Sequence, residues 1–111
     1  MKDDLVYIDH ILECLRWIKS YTSGGRELFF NDRKTQSAVF RELQTLAEST
    51  RRLSSTLKDA RPEVAWWAIA GFRNVLVHDY LGIKLERVWE IIERDLSVLQ
   101  RAVEAMRKGI E

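Results

Sequence analysis

The segment Arg73-Asn74-Val75-Leu76-Val77-His78-Asp79-Tyr80 sets an arginine, a histidine and a tyrosine close together along the chain. Arginine carries a planar fork of donors that matches phosphate oxygens, and histidine is the side chain best suited to proton transfer near neutral pH. The chemistry that suits the pair is cleavage of an RNA phosphodiester by the neighbouring 2′-hydroxyl. That reaction needs a base for the hydroxyl proton, an acid for the leaving oxygen and positive charge for the phosphorane. Arg73 would clamp the phosphate and His78 would act as base or acid. Asn74, one turn before His78, would orient its ring or bind a phosphate oxygen. One histidine does not easily make both proton transfers in one step. A two-fold axis near the segment would bring two copies of Arg73 and His78 into one groove, so the chemistry predicts a homodimer. Spacing alone does not separate this reading from a helix that carries the same residues without chemistry, because short motifs match often by chance.

On an ideal helix Arg73 and His78 stand about 140° apart, whereas Arg73 and Tyr80 differ by about 20° and share a face. Trp67, Gly71, Asn74 and His78 form a neighbouring stripe. Gly71 removes a side chain one turn before Asn74, which either admits a backbone or ligand or allows close helix packing. Trp66 and Trp67 read as core and interface rather than as stacking platforms for bases. The other histidine, His10, falls on a different helix and reads as a surface or partly buried residue. Lys34, Arg41 and Arg51-Arg52 share one helix and suit either an RNA-binding strip or a solubilising face.

Other chemistries find little support. Glu86, Glu90, Glu93 and Asp95 fall on solvated helix faces without the spacing of a metal site. Gly24-Gly25 is not followed by the Lys and Ser or Thr of a phosphate loop, so no metal or cofactor is expected.

Three stretches with helical periodicity and a fourth that holds the motif must position these residues. The first carries Leu5, Ile8, Leu12 and Leu15 as one stripe and Tyr7, Ile11, Cys14, Ile18 and Tyr21 as a second, which predicts a helix touched on more than one side. Ser23-Gly24-Gly25 ends it. Residues 26–33 form a connector with room for one helical turn, in which Phe29 and Phe30 plug the end of a bundle. Asn31 or Asp32 caps a second long helix whose stripe is Val39, Leu43, Leu46, Thr50, Leu53 and Leu57. Ser54-Ser55-Thr56, Asp59 and Pro62 close it, and Pro62 suits the first turn of the next helix. That helix runs from about Glu63 to Leu81, with Gly82 as its stop. The last carries Leu85, Val88, Trp89, Ile92, Leu96, Leu99, Val103 and Met106. The expectation is all-α: an antiparallel four-helix bundle with a short extra helical connector, forming a single domain over 1–111.

Composition agrees. A chain of 111 residues, 46% hydrophobic and 32% charged, with one proline and five glycines, fits an ordered helical domain rather than an all-β one. A net charge of +1 leaves any RNA affinity to a local patch. Cys14 has no partner cysteine. Met1-Lys2-Asp3-Asp4 leads straight into an amphipathic pattern with no secretory segment, and Val64–Phe72 is about half of a membrane span, so a cytoplasmic location is expected.

Beyond the motif, Tyr7-Ile8-Asp9-His10-Ile11-Leu12, Phe30-Asn31-Asp32-Arg33-Lys34-Thr35-Gln36, Pro62-Glu63-Val64-Ala65-Trp66, Ile69-Ala70-Gly71-Phe72-Arg73-Asn74 and Val88-Trp89 stand in the order of family landmarks. With the Arg-x4-His-x-Tyr segment, the chain resembles the HepT-like toxins of the HEPN superfamily of small helical ribonucleases. The resemblance covers nearly the whole chain. It implies a HEPN-type bundle that dimerises, with Arg73 and His78 lining a composite site and Asn74 as the usual polar residue after the arginine. It also implies a partner, a minimal nucleotidyltransferase antitoxin that transfers AMP from ATP to Tyr80, and an RNA rather than a DNA substrate. Two positions depart from the pattern. Glu42 and Ala47 stand where relatives commonly have Asn and Gly, and a carboxylate at 42 would repel RNA if it faced the groove. The alternative reading is a non-catalytic HEPN module that only pairs with a nucleotidyltransferase. A bundle with no ligand at all is a third, and the four motif residues argue against it.

Overall fold

The structure is a computed structural model that describes the backbone of residues 2–78 and 84–110 and the side chains of 3–72 and 84–110. It is all-α, with no strand among the described residues.

Helix α1 spans Lys2–Tyr21, with Asp3 and Asp4 in its first turn and Lys19 in its last, each complementing the helix dipole. Its two apolar stripes place Ile8, Ile11, Cys14, Leu15 and Ile18 in the core, with Tyr7, Leu12 and Tyr21 packed at its margin. The two stripes serve two neighbours: α1 packs on α3 (Arg33–Arg52) and on α7 (Leu96–Ile110). Gly25 turns the chain after α1 with φ of 93°, a left-handed conformation that favours glycine.

The connector contains the helix α2, Arg26–Asn31. Phe29 is fully buried there and meets the Trp89 ring at 5.4 Å, so the expected plug is real. Phe30 is half-buried and lies edge-on to Phe29. The Gln36 side-chain amide donates to the Phe29 carbonyl at 2.9 Å and ties α2 to α3. Asp32 occupies the N-cap position of α3, and its carboxylate accepts the Thr35 hydroxyl at 2.6 Å. That hydroxyl is the main reason the Asp32 carboxyl is held below its ordinary pKa.

The expected second helix is longer than the one that forms. The chain leaves α3 at Leu53, whose backbone is extended, so Leu57 belongs to a separate short helix, α4 (Ser55–Asp59). Two hydrogen bonds explain the break. The Ser54 N–H donates to the buried carboxylate of Asp4 at 2.8 Å, and the Ser54 hydroxyl accepts the Leu57 N–H that opens α4. Asp4→Ala would leave that N–H without its acceptor and should cost about 1–3 kcal/mol. Urea denaturation checks this; an unchanged midpoint would mean that the bond carries no stability.

Helix α5, Trp66–His78, also starts later than the expected Glu63. Pro62 lies in the preceding turn, not in the helix. The Trp66 indole N–H donates to the carbonyls of Lys58 and Arg61 at 3.0 and 3.1 Å, which folds this turn back onto α4. The expected Gly82 stop lies outside the described residues. The final rod is divided: α6 (Leu85–Glu90), one π-helical turn over Ile91–Asp95, then α7. The wider π turn displaces the seam, so Val88 and Ile91 are buried before it and Leu96, Leu99, Ala102, Val103 and Met106 after it. Thus α1, α3, α5 and the α6–α7 rod make the four-helix bundle, and α2 and α4 are short connectors. No helix among the described residues is long and apolar enough to cross a membrane.

Candidate active site

Helix α5 carries the motif residues Arg73 to His78 on a backbone that is continuous from Trp66. Ile69 and Phe72 are buried and fix one face of this helix in the bundle, where it packs against α3. The opposite face is open. Trp67 is 83% exposed, and a Cβ built on Gly71 meets no described atom within 4 Å. Among the described residues, none packs closely enough on Gly71 to require a glycine there. Trp67 is not a core residue of this chain, whereas the half-buried Trp66 is.

Asn74 and His78 occupy the next two positions of the stripe that begins with Trp67 and Gly71, and Arg73 sits one position before Asn74. The rise of a helix separates Arg73 and His78 by about 7.5 Å along its axis. The side chains of Arg73, Asn74 and His78 lie outside the described residues, and so does Tyr80 as a whole.

Neighbouring positions on α3 bear on the site. Glu42 is half-buried with its carboxylate against the Cys14 thiol, at the seam between α1 and α3. Burial first, and the Glu42 carboxylate second, push the Cys14 pKa up to about 12, so the thiol stays protonated and unreactive. Ala47 is fully buried, its methyl group part of the core.

The sequence reading missed a second polar cluster. Tyr7 and His10 of α1, with Gln44, Thr45, Glu48, Ser49 and Arg52 of α3, line an open depression of about 430 Å³. The His10 ring stands edge-on to Tyr7, 6.1 Å between centroids. Arg52 donates from Nε to Glu48 at 3.1 Å, and its guanidinium lies 6.0 Å from the Tyr7 ring. The Tyr7 hydroxyl, and after it Glu48, hold Arg52 still more firmly protonated than usual. The signal was present as i, i+3 spacing in α1 and i, i+4 spacing in α3, but only the packing of the two helices shows that the residues meet.

A family model described as ribonuclease HepT-like matches residues 11–106, which takes in every helix from α2 to α6, most of α1 and α7, and the whole motif. The chain belongs to this family. The HepT-like assignment places it among ribonucleases. Similar proteins include the "Probable ribonuclease HepT" of Thermococcus cleftensis, 31% identical over 106 residues, 92% of this chain and 94% of that one. A "Putative RNase" of Methanocaldococcus jannaschii is 32% identical over 111 residues, 99% of this chain and 92% of its own. One of the same description from Caldanaerobacter subterraneus is 31% identical over 104 residues, 93% of each. No solved structure matches the chain.

Proposed function

We propose that the chain is the toxin of a type VII-like toxin–antitoxin pair: a metal-independent endoribonuclease that acts as a homodimer and is silenced by AMPylation of Tyr80. The observation that carries this reading is the HepT-like match across residues 11–106, which spans the Arg73–Tyr80 segment and the helix α5 that leads into it.

In this reading the 2′-oxygen of the RNA attacks the adjacent phosphorus as its proton passes to a base, and the 5′-oxygen leaves as it takes a proton from an acid. The two copies of His78 in the dimer supply base and acid, and Arg73 neutralises the phosphorane. Asn74 orients the ring or holds a phosphate oxygen. The products are a 2′,3′-cyclic phosphate and a 5′-hydroxyl, and no metal or cofactor takes part. The reaction runs in the cytoplasm, where RNA is the substrate.

Silencing follows from charge. The Tyr80 oxygen attacks the α-phosphorus of ATP on the nucleotidyltransferase antitoxin and releases pyrophosphate. Seven residues separate Tyr80 from Arg73, about 10.5 Å along an ideal helix and on one side of it. The new phosphodiester would carry a negative charge that Arg73 or its symmetry mate can bind, so the adenylate takes the place of an RNA phosphate.

Incubation with the partner nucleotidyltransferase and ATP, followed by peptide mass spectrometry, should place added AMP mass on Tyr80, and Tyr80→Phe should escape it. Modification elsewhere, or a Tyr80→Phe toxin still silenced by AMP transfer, would rule the switch out. Sedimentation should show a dimer at tens of micromolar; a monomer would remove the shared groove.

A further inference from the structure

We infer that the depression between α1 and α3 is a second phosphate-binding site, which holds a phosphodiester of the RNA strand away from the bond that is cut. The inference rests on the ribonuclease reading and extends it to a surface that the Arg73–Tyr80 segment does not include.

Three observations point to an anion there. First, the depression gathers donors of the right kind from two helices: the His10 imidazole and Tyr7 hydroxyl from α1, and the Arg52 guanidinium from α3. Second, Arg52 is held in place rather than free to sweep. Its Nε–H is bound by Glu48 at 3.1 Å and its guanidinium rests near Tyr7, while 56% of the side chain stays exposed. A guanidinium anchored by Glu48 through Nε and by the Tyr7 hydroxyl is fixed in direction, and its remaining N–H groups face the depression for a charge-assisted bond to a phosphate oxygen.

Third, the carboxylate in the depression is already taken up by guanidinium groups. Glu48 is the one carboxylate that lines the depression, and it is shared by Arg52 at 3.1 Å and Arg51 at 3.9 Å. Arg52 is the one Lys or Arg among the lining residues, with Arg51 beside it on the same carboxylate. Three acids of α1 are engaged elsewhere: Asp4 with the Ser54 N–H at 2.8 Å, Asp9 with Arg107 of α7 at 2.9 Å, and Glu13 with Arg16 and the Trp17 indole. His10 is exposed and offers a ring N–H in either protonation state.

The placement suits a strand that also reaches the motif. Helix α3 packs against both α1 and α5, so the depression and the motif helix flank the same element. An RNA held at both would be bound on its backbone, with no dependence on base sequence at the second site.

The test reads binding, so it stands even if cleavage by Arg73 and His78 fails. The probe is a fluorescein-labelled RNA of about a dozen nucleotides, 2′-O-methylated throughout so that it cannot be cut, followed by anisotropy at several salt concentrations. His10→Ala/Arg52→Ala should weaken binding roughly tenfold or more, the scale of charged hydrogen bonds to one phosphate. It should also reduce the dependence of log K on log salt by about 0.7. Arg16→Ala removes an equal charge elsewhere on α1 and should change neither quantity. Equal weakening by Arg16→Ala, or affinity for the RNA unchanged in the double variant, would overturn the proposal. Displacement of the RNA by low-millimolar AMP or inorganic phosphate, lost in the double variant, would assign the depression to a free nucleotide or phosphate and overturn it as well.

Discussion

His78→Ala should slow RNA cleavage by about 10²–10⁴-fold, the range for loss of a positioned general acid or base. Arg73→Ala should remove about 2.7–4 kcal/mol of transition-state stabilisation if it behaves as an oxyanion donor does. The two losses should not add, since both residues act on one phosphorane. Single-turnover rates on a labelled RNA at saturating enzyme measure this, with thermal denaturation of each variant as the check on folding. Equal activity in the parent and both variants would identify a contaminating nuclease rather than this chain.

Phe29→Ala should destabilise the fold by about 3–5 kcal/mol, a large part of the stability of a domain this size. Phe29 is fully buried, and its ring meets both Phe30 at 5.7 Å and Trp89 at 5.4 Å, so truncation opens a cavity between the connector and the final rod. Its neighbour Leu28 is 45% exposed, and Leu28→Ala should stay within about 0.5 kcal/mol. Urea denaturation of the pair tests the contrast. Similar midpoints for the two would mean that the aromatic plug does not hold the bundle end.

The fold was legible wherever a stripe of apolar residues ran for several turns. The double stripe of α1 foretold its two packing partners, and Phe29 was readable as a plug because two adjacent aromatic residues in a connector have nowhere else to go. Periodicity failed where a polar group from elsewhere in the chain decided the outcome. Leu57 continues the α3 seam in sequence, yet Asp4, fifty residues away, takes the Ser54 N–H and ends the helix. The π turn at Ile91–Asp95 is hidden for a related reason: α-spacing and a one-residue expansion give nearly the same apolar pattern over a short stretch. The late start of α5 depends on where the Trp66 indole finds carbonyls, which spacing does not encode.

The candidate site was legible in a different way. Arg73, Asn74, His78 and Tyr80 stand out by type and order, and their spacing gave the stripe that includes Trp67 and Gly71. The structure adds that this stripe begins on an exposed residue: of the tryptophan pair expected at core and interface, Trp66 packs on the core and Trp67 faces outward. It also turns Glu42 toward Cys14, which removes one reason to expect repulsion of RNA. The Tyr7, His10 and Arg52 cluster was not legible, because Arg52 stands 42 and 45 residues from His10 and Tyr7 and meets them only across a helix seam.

The most direct measurement is the chemistry of the cut ends. Purified protein and a labelled RNA, incubated in excess chelator, should yield fragments that end in a 2′,3′-cyclic phosphate or its hydrolysis product, with 5′-hydroxyl partners, and His78→Ala should yield neither. Cleavage abolished by the chelator and restored by a divalent ion, with 5′-phosphate ends, would contradict the Arg73–His78 mechanism.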